Sequence, residues 1–276
     1  MPLVLVGTPI GNLGDLAPRA VEALRAADAI CCEDTRRTGR LLQHAGIDRK
    51  PLIVVNDHTE ETAARAVLDR IAAGERVALV SDAGMPGISD PGGHLVRGAL
   101  DAGLPVEVIP GPSAALTALV LSGLPAGRFV FEGFLPRKGS GRRDRLAEIA
   151  AERRTVVIFE APHRLARTLG DLLDACGADR RVAIGRELTK LHEETWRGTL
   201  SDAVAWTTDK EPRGEMVLVL EGAPEPEVAQ AGEIEAAVHS ALAAGASARD
   251  AAAEVAAQLG VPRRVAYEMA VRLRRG

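Results

Sequence analysis

Ser81-Asp82-Ala83-Gly84-Met85-Pro86-Gly87-Ile88-Ser89-Asp90-Pro91-Gly92-Gly93 is the stretch from which the fold is read. The run Val77-Ala78-Leu79-Val80 before it is apolar enough for a buried strand, and His94 to Ala102 after it carries a helical pattern. Four glycines, two prolines, two aspartates and two serines in thirteen residues exceed the needs of a plain strand-to-helix turn. Glycine permits positive φ and close backbone approach, while proline fixes φ and removes an N–H. Open α/β sheets bind ligands at the carboxyl ends of their strands, so the stretch is expected to form one wall of a small-molecule pocket.

The same alternation extends outward in both directions. Leu3–Val6, Ala29–Cys32, Leu52–Val55 and Val106–Ile109 read as strands, with helices from Leu16 to Ala27 (Asp15 as N-cap), through Leu41-Leu42 to Gly46, from Thr59 to Ala73, and from Ser113 to Leu121. Strands alternating with helices of this length predict a mostly parallel sheet covered on both faces. Ser122-Gly123-Leu124-Pro125-Ala126-Gly127 interrupts the pattern. Beyond it come strands at 129–131, 155–159, 182–186, 192–197 and 216–220, helices at 163–175 and 201–208, and a basic loop over 136–145, which predict a mixed sheet. Gly222 to Glu227 reads as a Pro/Glu linker, and the remainder as helices without strands. There Ser247 caps the second helix, Gly260 ends it and Pro262 starts a last helix rich in arginine, Arg275 included. The fold class is thus α/β with two α/β domains, at 1–121 and 122–222, and a cleft between them. A linker at 223–232 and a helical domain at 233–276 complete the expectation.

Whole-chain chemistry narrows the function. With 276 residues, 46% apolar and 26% charged, the chain has the composition of an ordinary globular protein. It shows neither a membrane-length apolar run nor a signal-peptide pattern, so a cytoplasmic location is expected. Cys31, Cys32 and Cys176 form no CxxC pair and fit buried free thiols. The net charge of −4 means that any nucleic-acid contact must come from a local patch, and 3% aromatics argue against base-stacking platforms.

Several chemistries are excluded by spacing. Gly7, Gly11 and Gly14 read GxxxGxxG, not the GxGxxG of dinucleotide sites, and no P-loop is present. Ser89 lacks the second glycine of a nucleophile elbow, because Pro91 stands there. The histidines form no HExxH, and Asp57-His58-Thr59-Glu60-Glu61 reads as a solvated helix start, so no metal is expected. A pocket of glycine/proline loops, carbonyls and acids without a phosphate clamp suits a cationic ligand that carries an adenosine.

Taken in order, Val6–Leu13, Glu33–Arg36, Ser81–Gly92, Pro110–Ala114, Glu132–Pro136, Arg186–Lys190 and Gly214–Val219 resemble the motif set of the tetrapyrrole methylase superfamily, in its branch that acts on small-subunit rRNA. The resemblance covers nearly the whole chain; Met85 departs from it, where the family more often has Thr. It implies S-adenosylmethionine in the cleft, a homodimer, and 2′-O-methylation of a cytidine ribose (by family, cytidine 1402) in the decoding region of 16S rRNA, within the small ribosomal subunit. By motif it implies cofactor contacts at Pro9, Ile10, Asp82, Ala83, Gly84, Ile88, Ser113, Ala114, Phe159, Glu160, Leu188, Met216 and Val217.

Methyl transfer to a ribose oxygen is an in-line displacement on a sulfonium, so alignment supplies most of the catalysis, and a base near the hydroxyl would help. Glu187, Lys190 and Asp34 are the candidates, with Lys190 able instead to stabilise developing alkoxide charge; each could equally be a structural ion pair. Arg36, Arg37, Arg137, Lys138, Arg142, Arg143, His163 and Arg164 are the candidate RNA contacts. Two other readings stay open: C-methylation of a tetrapyrrole on the same scaffold, and a non-catalytic ribosome-assembly factor. The basic segments disfavour the first, since a macrocycle needs neither.

Overall fold

A computed structural model describes residues 1–56, 59–209, 213–225 and 229–274. Of the stretches singled out above, Asp57, His58, Pro226, Glu227 and Arg275 lie outside the described residues. The chain divides into two compact units, 1–223 and 224–276.

The first sheet has the order β3-β2-β4-β1-β5, formed by β1 (Leu3–Val6), β2 (Ala29–Cys32), β3 (Leu52–Val54), β4 (Val77–Leu79) and β5 (Val106–Ile109), with every pairing parallel. The period of two along each strand explains the two cores. Val4, Val6, Ile30 and Cys32 point to the side covered by α1 (Pro18–Ala26) and α2 (Thr35–His44). Leu3, Leu5, Cys31 and Leu79 point to the side of α3 (Glu60–Ala72) and α4 (Gly93–Asp101). Because β1 lies between β4 and β5, the loops leaving the carboxyl ends of these three strands are neighbours in space.

The second sheet is mixed, in the order β6-β7-β10-β8-β9, from β6 (Phe129–Phe134), β7 (Thr155–Glu160), β8 (Arg181–Arg186), β9 (Glu194–Thr199) and β10 (Met216–Leu220). Only β6 and β7 run parallel. One face packs Val156, Ile158, Ile184, Met216 and Leu218 against α6 (Ser140–Ala151), α7 (Pro162–Cys176) and α8 (Leu200–Asp209). The opposite face packs Val157, Ala183, Val217 and Val219 against Ala115, Ala118 and Leu119 of α5 (Ala114–Ser122). That helix follows β5 in the chain yet covers the second sheet, which is how the two halves become one unit. In the unit 224–276, α9 (Ala231–Ala243), α10 (Ala248–Leu259) and α11 (Arg263–Leu273) bury their own core of Ile234, Val238, Val255, Val261 and Ala266.

Two local expectations change. Asp15 does not cap α1: Leu13–Asp15 forms a 3-10 turn, and the helix begins at Pro18, whose missing N–H costs nothing in a first turn. The basic segment read as a loop over 136–145 is helical from Ser140 onward. The caps at Ser247 and Gly260 form as expected, Gly260 in the left-handed region at φ 64°. Among the described residues, no helix is long and apolar enough to cross a membrane.

Candidate active site

Three loops at the carboxyl end of the first sheet are pinned to each other through backbone. Thr8 and Gly84 form an antiparallel bridge, and the Thr8 hydroxyl donates to the Ser81 carbonyl at 3.2 Å. Gly7 and Gly111 touch so closely that a Cβ on Gly7 would lie 2.5 Å from the Gly111 nitrogen, which explains glycine at both positions. Glu33 accepts from the Asp82 N–H at 3.0 Å and Asp82 accepts from the Asp34 N–H at 3.2 Å, tying the end of β2 to the end of β4. The far end of the central loop rests on the second half, where a Cβ on Gly133, at the bulge of β6, would stand 2.9 Å from the Ser89 hydroxyl.

The residue holding the central loop from beneath is Glu60. Its buried carboxylate accepts the N–H groups of Gly92, His94 and Leu95 at 3.0, 2.8 and 3.2 Å, at the start of α4. A helix N-terminus is an anion site, and here the protein's own carboxylate occupies it. A phosphate is therefore not what this loop receives. Glu60 read as part of a solvated helix start because its partners lie more than thirty positions away in sequence.

From the second half comes the segment after β8. Glu187 and Thr189 hold φ of 48° and 65°, a region costly for residues other than glycine. The conformation is kept by bonds from the Glu187 N–H to the Glu215 carbonyl (3.0 Å) and from the Thr189 N–H to Glu193 (2.5 Å). The Asn12 N–H reaches the Thr189 hydroxyl at 3.1 Å, and Gly11 leaves room for the Lys190 side chain, so this segment meets the first loop directly. Between them opens a cavity of about 300 Å³, lined by Thr8–Gly11, Leu13, residues of α2 including Arg37 and Arg40, Ser81–Ala83, Lys190 and Glu215.

The three candidate bases are all ion-paired. Lys190 Nζ sits 2.8 Å from Glu187 and 3.3 Å from Glu215, and Glu187 also accepts the Glu215 N–H at 2.9 Å. Burial alone would raise the Glu187 carboxyl, but the bonds from Lys190 and the Glu215 N–H, with the charges of Lys190 and Arg186, hold it below its ordinary value. Burial alone would likewise lower Lys190, and its two carboxylate partners hold it above its ordinary value. Asp34 accepts from Arg36 through side chain and backbone, which keeps its carboxyl well below the usual range. At neutral pH the site thus offers a fixed ammonium between carboxylates, not a free base.

Of the predicted cofactor residues, Ile10, Ala114, Phe159, Leu188 and Val217 come together in one apolar cluster between the halves. Phe159 meets Phe131 and Phe134 edge-on, at centroid distances of 4.9 and 5.7 Å. Pro9, Asp82 and Ala83 line the cavity beside them, Gly84 adjoins it through Thr8, Ser113 caps α5, and Ile88 is exposed. Glu160 and Met216 stand differently. They pair across β7 and β10 on the α7 side of the sheet: Met216 packs in that core, and Glu160 binds Thr168 at 2.5 Å and Arg164 at 3.1 Å. Their side chains face away from the cleft, whereas their neighbours Phe159 and Val217 face it.

The RNA set is also revised. Arg142 is 4% exposed, and its guanidinium binds Asp171, the Pro136 carbonyl and Thr168, so it serves the fold. Arg137, Lys138, Arg143 and His163 are exposed, Arg164 is half-buried against Glu160, Arg36 is tied to Asp34, and Arg37 approaches Asp82 at 3.4 Å. Among the described residues, no group of three or more His, Cys, Asp or Glu could hold a metal ion.

A cavity with Ile10, Leu13 and Leu41 as apolar lining, beside the Asp82 carboxylate and with the nearby helix terminus already neutralised, fits a phosphate-free cationic adenosine compound such as S-adenosylmethionine.

Comparison with known proteins agrees with this chemistry. The family described as Tetrapyrrole (Corrin/Porphyrin) Methylases matches residues 2–204. A protein of Synechocystis sp. named ribosomal RNA small subunit methyltransferase I is 46% identical over 273 residues, 98% of each chain. Proteins of the same name from Mycobacterium bovis (46%, covering 99% of this chain and 95% of that one) and Thermotoga maritima (48%, covering 80% and 98%) are similar as well. Among solved structures, the methyltransferase CobJ superposes with a TM-score of 0.62 at 22% identity, covering 81% of this chain and 95% of that one. Uroporphyrin-III C-methyltransferase from Thermus thermophilus, complexed with S-adenosyl homocysteine, gives 0.58 at 21%, covering 80% and 97%.

Proposed function

Because the chain belongs to the tetrapyrrole methylase family and is an S-adenosylmethionine-dependent rRNA methyltransferase, we propose that it 2′-O-methylates a cytidine ribose in the decoding region of 16S rRNA. The observation that carries the rRNA substrate is likeness over nearly the full length of relatives bearing that name. The ribose-oxygen chemistry is supported by Lys190, whose ammonium stands at the cavity wall where an acceptor oxygen develops negative charge.

In this reading Ile10, Ala114, Phe159, Leu188 and Val217 hold the adenosine, and Asp82 with the carbonyls of the central loop holds the cationic end; Pro9, Ala83, Gly84, Ile88 and Ser113 shape the seat. The bound cofactor supplies an electrophilic methyl group. Lys190, fixed by Glu187 and Glu215, orients the acceptor hydroxyl and stabilises the oxygen as it takes the methyl group and its proton passes to solvent water. The pinned loops keep donor and acceptor aligned, which is where most of the rate arises. Arg36, Arg37, Arg137, Lys138, Arg143, His163 and Arg164 draw in the RNA as a local patch on a chain of net charge −4.

The reading includes the two α/β domains at 1–121 and 122–222, the linker and the C-terminal helical domain, action on the small ribosomal subunit, and a cytoplasmic homodimer. The dimer is supported by Leu116 and Val120, one turn apart on α5 and 51% and 75% exposed. The test is transfer of label from S-adenosylmethionine to undermethylated small subunits, naked 16S rRNA or a tetrapyrrole precursor, followed by nucleoside analysis. Label recovered as 2′-O-methylcytidine is expected. Label in the macrocycle, or in no acceptor, would overturn the reading.

A further inference from the structure

The first turn of α7 and the connection from β6 to α6 enclose a second cavity, of about 280 Å³, lined by Arg137, Arg142, His163, Arg164, Arg167 and Thr168. Its floor is rigid. Arg142 binds Asp171 at 2.7 Å, the Pro136 carbonyl and Thr168; Thr168 donates onward to Glu160, which also holds Arg164. The two carboxylates are therefore already engaged in seating Arg142 and Arg164.

The rim is different. Arg137 and His163 are exposed, and their side chains make no hydrogen bond or ion pair among the described residues. Arg167 is exposed too, and reaches only as far as 3.8 Å from the same Asp171 oxygen that Arg142 holds at 2.7 Å. Four guanidinium groups face two carboxylates, so two guanidinium charges remain uncompensated. The positive end of the α7 dipole adds to them. Cations gathered this closely repel one another unless an anion joins them, and guanidinium forks match phosphate oxygens in both charge and geometry.

We propose that this cavity seats one phosphodiester of the rRNA backbone, gripped by Arg137 and Arg167 with His163 at the rim, on a frame made by Arg142. The assignment rests on the rRNA reading above, and it adds Arg167 to the RNA-binding set while removing Arg142.

The test uses the full chain with Arg137→Gln, Arg167→Gln and their double variant, beside Arg65→Gln, an exposed arginine on α3, as control. The substrate is whichever of undermethylated small subunits or naked 16S rRNA the wild type methylates. The double variant is expected to raise the KM for RNA about tenfold, the loss of one charge-assisted phosphate contact. Its kcat and its KM for S-adenosylmethionine should stay at wild-type values. The slope of log kcat/KM against log salt should fall by about one, and Arg65→Gln should change nothing. A double variant with wild-type KM and slope would overturn the phosphate seat while leaving the proposed function standing. No label in any RNA with the wild type would overturn both. Inorganic phosphate titrated calorimetrically separates the sources: no saturable heat at millimolar phosphate is expected. Binding that the double variant loses, with its KM for RNA unmoved, would assign the cavity to free phosphate and overturn the RNA assignment.

Discussion

On the first half, the wall of the cleft is held by Gly7 against Gly111, by the Thr8–Gly84 bridge and by Glu60 beneath α4; on the second, it is held by Lys190 between Glu187 and Glu215. The first wall is fixed largely through backbone, by close approach and by the Glu60 carboxylate, and carries Asp82, Arg37 and Arg40 on it. The second is charged side chain on a segment with two strained φ angles. A cofactor needs shape from its seat, and an acceptor oxygen needs charge beside it. In the proposed reading, Asp82 and the central loop of the first wall take the cationic end of the donor, Lys190 of the second controls the acceptor, and the adenosine lies between the halves.

The comparison can be broken most forcefully at Glu60. Glu60→Ala strands buried N–H groups of the α4 terminus, at about 1–3 kcal/mol each, so a loss of about 4 kcal/mol in unfolding free energy is expected by denaturant titration. Gly7→Ala forces a Cβ into the Gly111 backbone, and should cost about 3 kcal/mol and weaken S-adenosylmethionine binding in calorimetry. On the other wall, Lys190→Ala should lower kcat about 10²-fold while the thermal midpoint falls by only about 2–4 °C, the share of a partly exposed ion pair. A large drop in that midpoint would make Lys190 a structural residue instead.

Titration sharpens the same contrast. Glu187 lies below its ordinary value, so its stabilising share is present above the unfolded carboxyl pKa and is lost as pH falls through the lowered one. Lys190 lies above its own, so its share is complete below the unfolded amine pKa and is lost as pH rises through the raised one. Both groups are charged from about pH 5 to about pH 10, and a rate profile flat across that window is expected from this pair. An inflection near neutrality that Glu187→Gln abolishes would contradict it. The smallest effect concerns the thiols. Burial pushes Cys31 up to about 12 and raises Cys32 and Cys176, so the folded protein should react with a thiol reagent far more slowly than the unfolded chain.

How much of this was legible follows from the range of the interactions. β1, β2 and β4 are continuous apolar runs because parallel strands are buried on both faces, and the glycine/proline loops after them are visible as composition. The period of two separates Glu160 and Met216 from Phe159 and Val217, but only the packing of α5 on the second sheet says which pair faces the cleft. The first turns of α6 were hidden because Ser140 to Arg145 is polar and glycine-jointed; Arg142, bound to Asp171 of α7, ties that turn down from outside its own segment. Glu60 carries no sequence signal for the same reason: the N–H groups it serves belong to another helix.

The division of the cleft is tested most directly by titrating S-adenosylmethionine calorimetrically into the Lys190→Ala protein beside the wild type. The predicted result is a dissociation constant unchanged within about twofold, with the defect confined to kcat. A loss of affinity of about tenfold or more would place Lys190 in the donor seat and contradict the assignment of the two walls.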